Sequence, residues 1–209
     1  MVSWLARRRA ILEPAGIFLL IMDYIWKVRY IHPVFVLAIV GLIIASHWVH
    51  REKAAALGFQ SVNFRQCLED FAPALILLGL LLLGTGQLLE TIRPIGFDSA
   101  MLAWCGYLPW GLFQQYILNG YFLNRLERVV PQRAAMMVSA ALFSGAHLPN
   151  WFLMSVTLLL GYCSAYIYNR YRNLYFLGGA HGTLGFLLYL VVPDSISHHL
   201  VVGPHWFAH

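Results

Sequence analysis

The chain is poor in charge. Only 11% of its 209 residues are Asp, Glu, Lys or Arg, and 60% are hydrophobic. Soluble domains carry about 25% charged residues, so this composition excludes a water-facing globule. Long polar segments are lacking too, which leaves one integral membrane domain over residues 1–209. Cysteine is scarce: Cys67, Cys105 and Cys163 are scattered and show no CxxC spacing. That argues against a disulfide framework and against a zinc knuckle. Internal repeats and low-complexity stretches are absent. The net charge of +5 does not point to nucleic acid, because the arginines fall between apolar runs, where they set topology. A cleavable leader is not expected either: Asp23 and Lys27 interrupt the first apolar run, and no small-residue cleavage site follows.

What is present is a series of apolar runs, and a helix needs roughly 20 such residues to cross a membrane. The runs cover residues 14–30, 33–48, 71–89, 100–123, 134–148, 151–168 and 174–192. The first is short and carries Asp23, for which an ion pair with Lys27 four residues on is the simple account. The expected fold is therefore all-α, a single bundle of about seven transmembrane helices, or six if the first run lies in the interface. Trp48, Trp104, Trp151, Tyr168 and Trp206 read as interface anchors. Residues 193–209 form a tail, whose terminal His209 is expected to be loose.

Seven spans would gather Arg7–Arg9 and the basic loops 51–65, 125–133 and 170–172 on one side, leaving Arg29 and Arg93 on the other. The positive-inside tendency then predicts a cytoplasmic N-terminus and a C-terminal tail on the opposite side, in a prokaryotic inner or plasma membrane.

Against this apolar background three stretches stand out. LFQQYILNGYF (residues 112–122) places Gln114, Gln115 and Asn119 deep in a span. FSGAHLPN (residues 143–150) and GGAHGTLG (residues 178–185) each bring one histidine. Buried polar groups are costly in lipid unless they meet partners. Gln115 and Asn119, four apart, share a helix face, as do Phe143 and His147, and His181 and Gly185. Such stripes are expected to face each other. For the glutamines and Asn119 taken alone, hydrogen bonding that holds helices together would be the sufficient account. Lone histidines are usually satisfied core residues. Asn150 after Pro149 reads equally as a helix cap. Gly178 and Gly182 read as close helix packing around His181.

Taken together, the stretches resemble the three motifs of the CPBP family, intramembrane proteins that include type II CAAX prenyl endopeptidases and bacteriocin self-immunity proteins. The family's first motif is Glu-Glu, three residues and Arg, answered here by Gln114, Gln115 and Asn119. Its second, Phe, three residues and His, is matched by Phe143 and His147. Its third, His, three residues and Asn, is met by His181 but not by Gly185. The resemblance runs over about residues 58–190. It implies an intramembrane peptidase fold in which a glutamate and the first histidine activate water while the second histidine and its partner stabilise the oxyanion. It requires no cofactor.

The departures bear on chemistry. A glutamine can orient water but cannot take its proton, so Gln115→Glu would be the natural way to restore a base. Loss of the arginine matches loss of its counter-ion. Three functions follow. The first is a divergent hydrolase of a hydrophobic or lipidated peptide, with His147, His181 and Gln115 as working residues and Gln114, Asn119 and Asn150 lining the cavity. The second is a catalytically silent relative that binds a membrane peptide or lipid. The third is an enzyme with a divalent metal held by candidates among His147, His181, His198, His199 and His205, the last three brought by a tail that folds back.

Overall fold

The protein was analysed as a computed structural model that describes residues 4–208, with side chains from residue 11 onward. Arg7–Arg9 and His209, used above, thus lie outside the described side chains. The described chain is helical, without strands, as lipid demands of backbone that has no water to bond. The elements are α1 (Trp4–Trp26), α2 (Val36–Val49), α3 (Phe64–Leu88), α4 (Phe97–Gln115), α5 (Gln132–Gly145), α6 (Trp151–Tyr171), α7 (Leu174–Val191) and the short α8 (Asp194–Ser197). Three of these, α3, α6 and α7, are long and apolar enough to cross a membrane by length and composition. The first helix is longer than its apolar run suggested and holds Pro14 in its interior. Lys27 lies beyond its end at φ −136°, so the side chain leaves the helical face. Asp23 and Lys27 make no ion pair among the described residues.

Helix α4 does not stop at Gln115. It continues as a π-helical segment, Tyr116–Leu123, and one further α turn, Asn124–Leu126. Wide turns of this kind concentrate at functional sites, and this one lies inside the first polar stretch. Its residues 118–123 are all buried.

The closest helix pair is α4 and α7. A Cβ on Gly182 would stand 2.6 Å from the Tyr107 carbonyl oxygen, and one on Gly178 would stand 2.7 Å from the Leu112 Cα. On the α4 side, a Cβ on Gly111 would lie 2.5 Å from the Gly182 nitrogen. Three glycines thus let the two backbones touch and carry His181 against the polar stretch of α4.

The turn between α6 and α7 is fixed from outside. Asn173 caps α7 by accepting from the Phe176 N–H at 2.9 Å, and it donates to the Gln60 carbonyl and to Asn63 Oδ1. Gln60 donates to the carbonyls of Tyr171 and Arg172, and the Leu174 N–H to that of Gly58. Gly58 has φ +94°, and a Cβ there would meet the Tyr168 ring at 2.8 Å, so only glycine serves. Tyr168 itself is fully buried and accepts from Asn124 Nδ2 at 2.9 Å. It is a core residue and no interface anchor, unlike the exposed Trp48 and Trp151.

At the same end, Arg125 is 1% exposed and sits among Glu13, Ser46 and Glu52, with bonds of 3.0, 2.7 and 2.7 Å. His47 reaches Glu52 at 2.5 Å, and Arg128 pairs with the same carboxylate. Burial works to raise the Glu52 pKa, but Arg125, His47 and Arg128 outweigh it and hold the carboxylate below its usual range. This cluster ties α1 and α2 to the end of α4.

Candidate functional site

The polar stretches do meet. Asn119 Nδ2 donates to Gln115 Oε1 at 2.6 Å and to Ser164 Oγ of α6 at 3.4 Å. Ser164 donates in turn to the Gly161 carbonyl at 3.0 Å. With its oxygen taken, Gln115 turns its NH2 to His181 Nδ1 at 2.9 Å. An amide nitrogen only donates, so His181 Nδ1 accepts and the ring proton resides on Nε2. Gln115 and Asn119 are buried. Asn119 Oδ1 finds no partner among the described residues.

His147 is set the opposite way. Its Nδ1 lies 2.7 Å from the Phe143 carbonyl oxygen. That oxygen only accepts, so Nδ1 carries the proton and Nε2 keeps its lone pair. The Phe143 ring stands edge-on to both imidazoles, with centroids 4.9 Å from His147 and 5.8 Å from His181. One histidine therefore offers an acceptor and the other a donor.

Both line a cavity of about 600 Å³ bounded by α4, α6, α7 and the tail. Gln114, Gln115 and Ser164 add polar groups, and Leu160, Leu184 and Leu188 are among the apolar ones. Helices α6 and α7, although joined by a short turn, touch sparingly, and the cavity fills the space between them. Exposed Cys163 is on this wall. Beside Gly185, a Cβ would stand 3.2 Å from the Tyr107 ring, so that ring takes much of the space a longer side chain at 185 would use.

Gln114 lines the cavity and makes no hydrogen bond among the described residues. Asn150 is not among the lining residues. It is fully buried, caps α6 by accepting from the Leu153 N–H at 3.1 Å, and donates to the carbonyls of Ser197 and Val201 at 2.9 and 3.0 Å. Those bonds fold the tail over the cavity, where His199, Leu200 and Val202 join the lining. His198 packs on Trp206 and His205 stacks on Tyr30. His199 meets Asp194 at 3.1 Å. Among the described residues no group of three or more His, Cys, Asp or Glu is close enough to hold a metal ion. Ser164, which closes the hydrogen-bond chain, carries no signal in the sequence beyond being a small polar residue in an apolar span.

Residues 97–187 match the family model described as Type II CAAX prenyl endopeptidase Rce1-like. Over this stretch the chain is similar to that Rce1-like family. All three polar stretches lie within the match, so the matched region contains Gln114, Gln115, Asn119, Phe143, His147, Ser164, His181 and Gly185. Helices α1, α2 and α3 and the tail lie outside it. No curated protein and no solved structure matches the chain.

Proposed function

We propose that this Rce1-like membrane protein is an intramembrane hydrolase that cleaves a hydrophobic or lipidated peptide entering between α6 and α7. The observation that carries the reading is the opposed setting of two imidazoles in one cavity: the Nε2 lone pair of His147 and the Nε2–H of His181. The lone pair takes a proton from water, and the oxygen attacks the scissile carbonyl carbon. Negative charge then collects on the carbonyl oxygen, where the Nε2–H of His181 stabilises it. The tetrahedral species collapses by breaking the C–N bond, and the proton held on His147 passes to the leaving nitrogen. Gln115 positions His181, and Asn119 and Ser164 position Gln115.

The reading is tested with purified protein in liposomes and a fluorogenic apolar peptide. Wild type is expected to cleave it, and His147→Ala to lose about 10²–10⁴-fold, the usual scale for a general base. Unchanged turnover in His147→Ala sinks the reading. A protein that binds the peptide with and without His147 and never cleaves it is the silent binder instead.

A further inference from the structure

Where the tail crosses the cavity its backbone is forced. His198, His199 and Leu200 have φ of +47°, +54° and +55°. Residues with a Cβ visit the left-handed region singly and at a cost. Three in succession, none of them glycine, persist only where the surroundings impose the conformation.

Here one side chain imposes it. The Asn150 amide donates to the Ser197 carbonyl at 2.9 Å and to the Val201 carbonyl at 3.0 Å. Those carbonyls flank the left-handed run, so the two hydrogens of one fully buried amide staple its two ends. Inside the staple the Val201 N–H donates to the His198 carbonyl at 3.0 Å. Two more bonds follow the run. Arg29 Nη2 donates to the Val202 carbonyl at 2.7 Å, and the Gly203 N–H donates to the Leu148 carbonyl at 2.8 Å, next to His147.

The stapled run faces the site. His199, Leu200 and Val202 line the larger cavity. A second cavity of about 210 Å³ adjoins it between α1, α2 and α4, and Trp110, Gln114, Phe143, His147 and Val202 line both. Val202 thus belongs to the partition between them. Leu200 and Val202 bring apolar side chains to the space an apolar ligand would use, on a Leu-Val-Val stretch of the chain itself.

We propose that residues 198–202 are an autoinhibitory strap. Latched by Asn150 they narrow the cavity, and an apolar peptide must displace them to bind. A released strap returns to ordinary backbone, which offsets part of the hydrogen bonding lost, so it opens while the helices stay packed. Binding is then governed by the open fraction, because the apparent Kd equals the intrinsic Kd divided by that fraction.

The test is whether removing contacts strengthens binding. A dansylated Leu-Val-Val peptide amide is added to the full chain in liposomes and followed by energy transfer from protein tryptophan. Asn150→Asp keeps the oxygen that caps α6 and, as a carboxylate, has no hydrogens for the two carbonyls. Two hydrogen bonds of ordinary strength correspond to about tenfold, so the peptide is expected to bind about that much more tightly, with faster association and unchanged dissociation. His198 lies outside the cavity lining, and glycine takes its backbone without penalty. His198→Gly should therefore hold the strap shut and weaken binding about fivefold. Amide exchange at Val201 and Gly203 reads the strap directly: faster in Asn150→Asp, slower in His198→Gly, and faster in wild type when peptide is bound than when it is absent. Freed amides in Asn150→Asp without tighter binding overturn the proposal. Should Asn150→Asp fail to fold, wild type decides: peptide that slows exchange at Val201 and Gly203 shows a cover closing over its ligand and overturns autoinhibition. None of these readouts requires the peptide to be cleaved.

Discussion

Gln115 Nε2 donates to His181 Nδ1 at 2.9 Å, while its Oε1 is occupied by Asn119. This pairing decides what a neutral amide does where a carboxylate would act as a base. A carboxylate at 115 would accept from Nδ1–H of His181 and strip Nε2 of its proton. The glutamine does the reverse and keeps Nε2 a donor. Two adjacent glutamines therefore have different standing. Gln115 is committed to the ring, whereas Gln114 faces both cavities without a hydrogen bond among the described residues.

The first prediction contrasts these two neighbours. Gln114→Glu places a carboxylate in the cavity near His147 without disturbing the tautomer of His181, and peptide cleavage is expected to rise about tenfold. Gln115→Glu is expected to lower it, because the oxyanion donor is lost. Nitrogen NMR of His181 reads the tautomer directly: Nε2–H in wild type and Gln114→Glu, Nδ1–H in Gln115→Glu. A gain in Gln115→Glu with an unchanged tautomer would contradict the assignment.

A second prediction concerns the contact that carries His181 to Gln115. The Cβ of Gly182→Ala would stand 2.6 Å from the Tyr107 carbonyl and 2.9 Å from the Leu108 Cα. Backbone atoms cannot step aside as a side chain would, so α4 and α7 must part. Overpacking of this kind costs about 1–3 kcal/mol. Gly179→Ala, where nothing lies within 4 Å of the added carbon, is the control. Thermal unfolding in detergent is expected to fall for Gly182→Ala and to stay level for Gly179→Ala.

These contacts mark how far the sequence could be read. The apolar runs and the three polar stretches were legible because lipid makes periodicity and polarity strong signals: each amide or histidine in a span calls for a partner. Partner identity was less legible. Ser164 is 45 residues from Asn119 and carries no motif. The π-helical turn at Tyr116–Leu123 leaves no pattern of its own, since the i, i+4 relation of Gln115 and Asn119 survives it. Glu13 and Arg125 stand 112 residues apart and read separately as ordinary end charges. Asn150 fitted both a cavity and a cap, and only the approach of Ser197 and Val201 shows where its amide is directed.

Arg125 supplies the third prediction. Two carboxylates, Glu13 and Glu52, and the Ser46 hydroxyl converge on a guanidinium that is 1% exposed. Removing one member of a buried pair strands the other at a cost of about 3–5 kcal/mol. Arg125→Met should therefore destabilise the protein far more than Arg65→Met, whose partner among the described residues is the exposed Glu69. The comparison is made by thermal unfolding in the same detergent. If exposed and buried arginines are lost with equal effect, the cluster does not hold α1 and α2 to α4.

The last prediction concerns the tail that covers the cavity. Arg93 of the 89–96 loop forks onto both oxygens of Asp194, and His199 adds a contact at 3.1 Å. The Arg93 hydrogen bonds hold the Asp194 carboxyl below its usual value, against the opposing effect of burial. A depressed carboxylate stabilises the fold fully above its unfolded pKa of about 3.9, and that contribution is lost as pH falls through the lower folded value. The Arg93–Asp194 pair is therefore expected to be indifferent between pH 5 and 8 and to slacken below about pH 4. Asp194→Asn removes it at every pH. The pair is partly exposed and worth up to about 1 kcal/mol, so amide exchange in residues 194–208 should quicken roughly two- to fivefold at pH 7. Because the tail lines the cavity, a bulky thiol reagent should also reach Cys163 faster, read in a Cys105→Ser background since Cys105 is exposed as well. Faster exchange with unchanged Cys163 labelling would mean that the tail is tethered there without controlling entry.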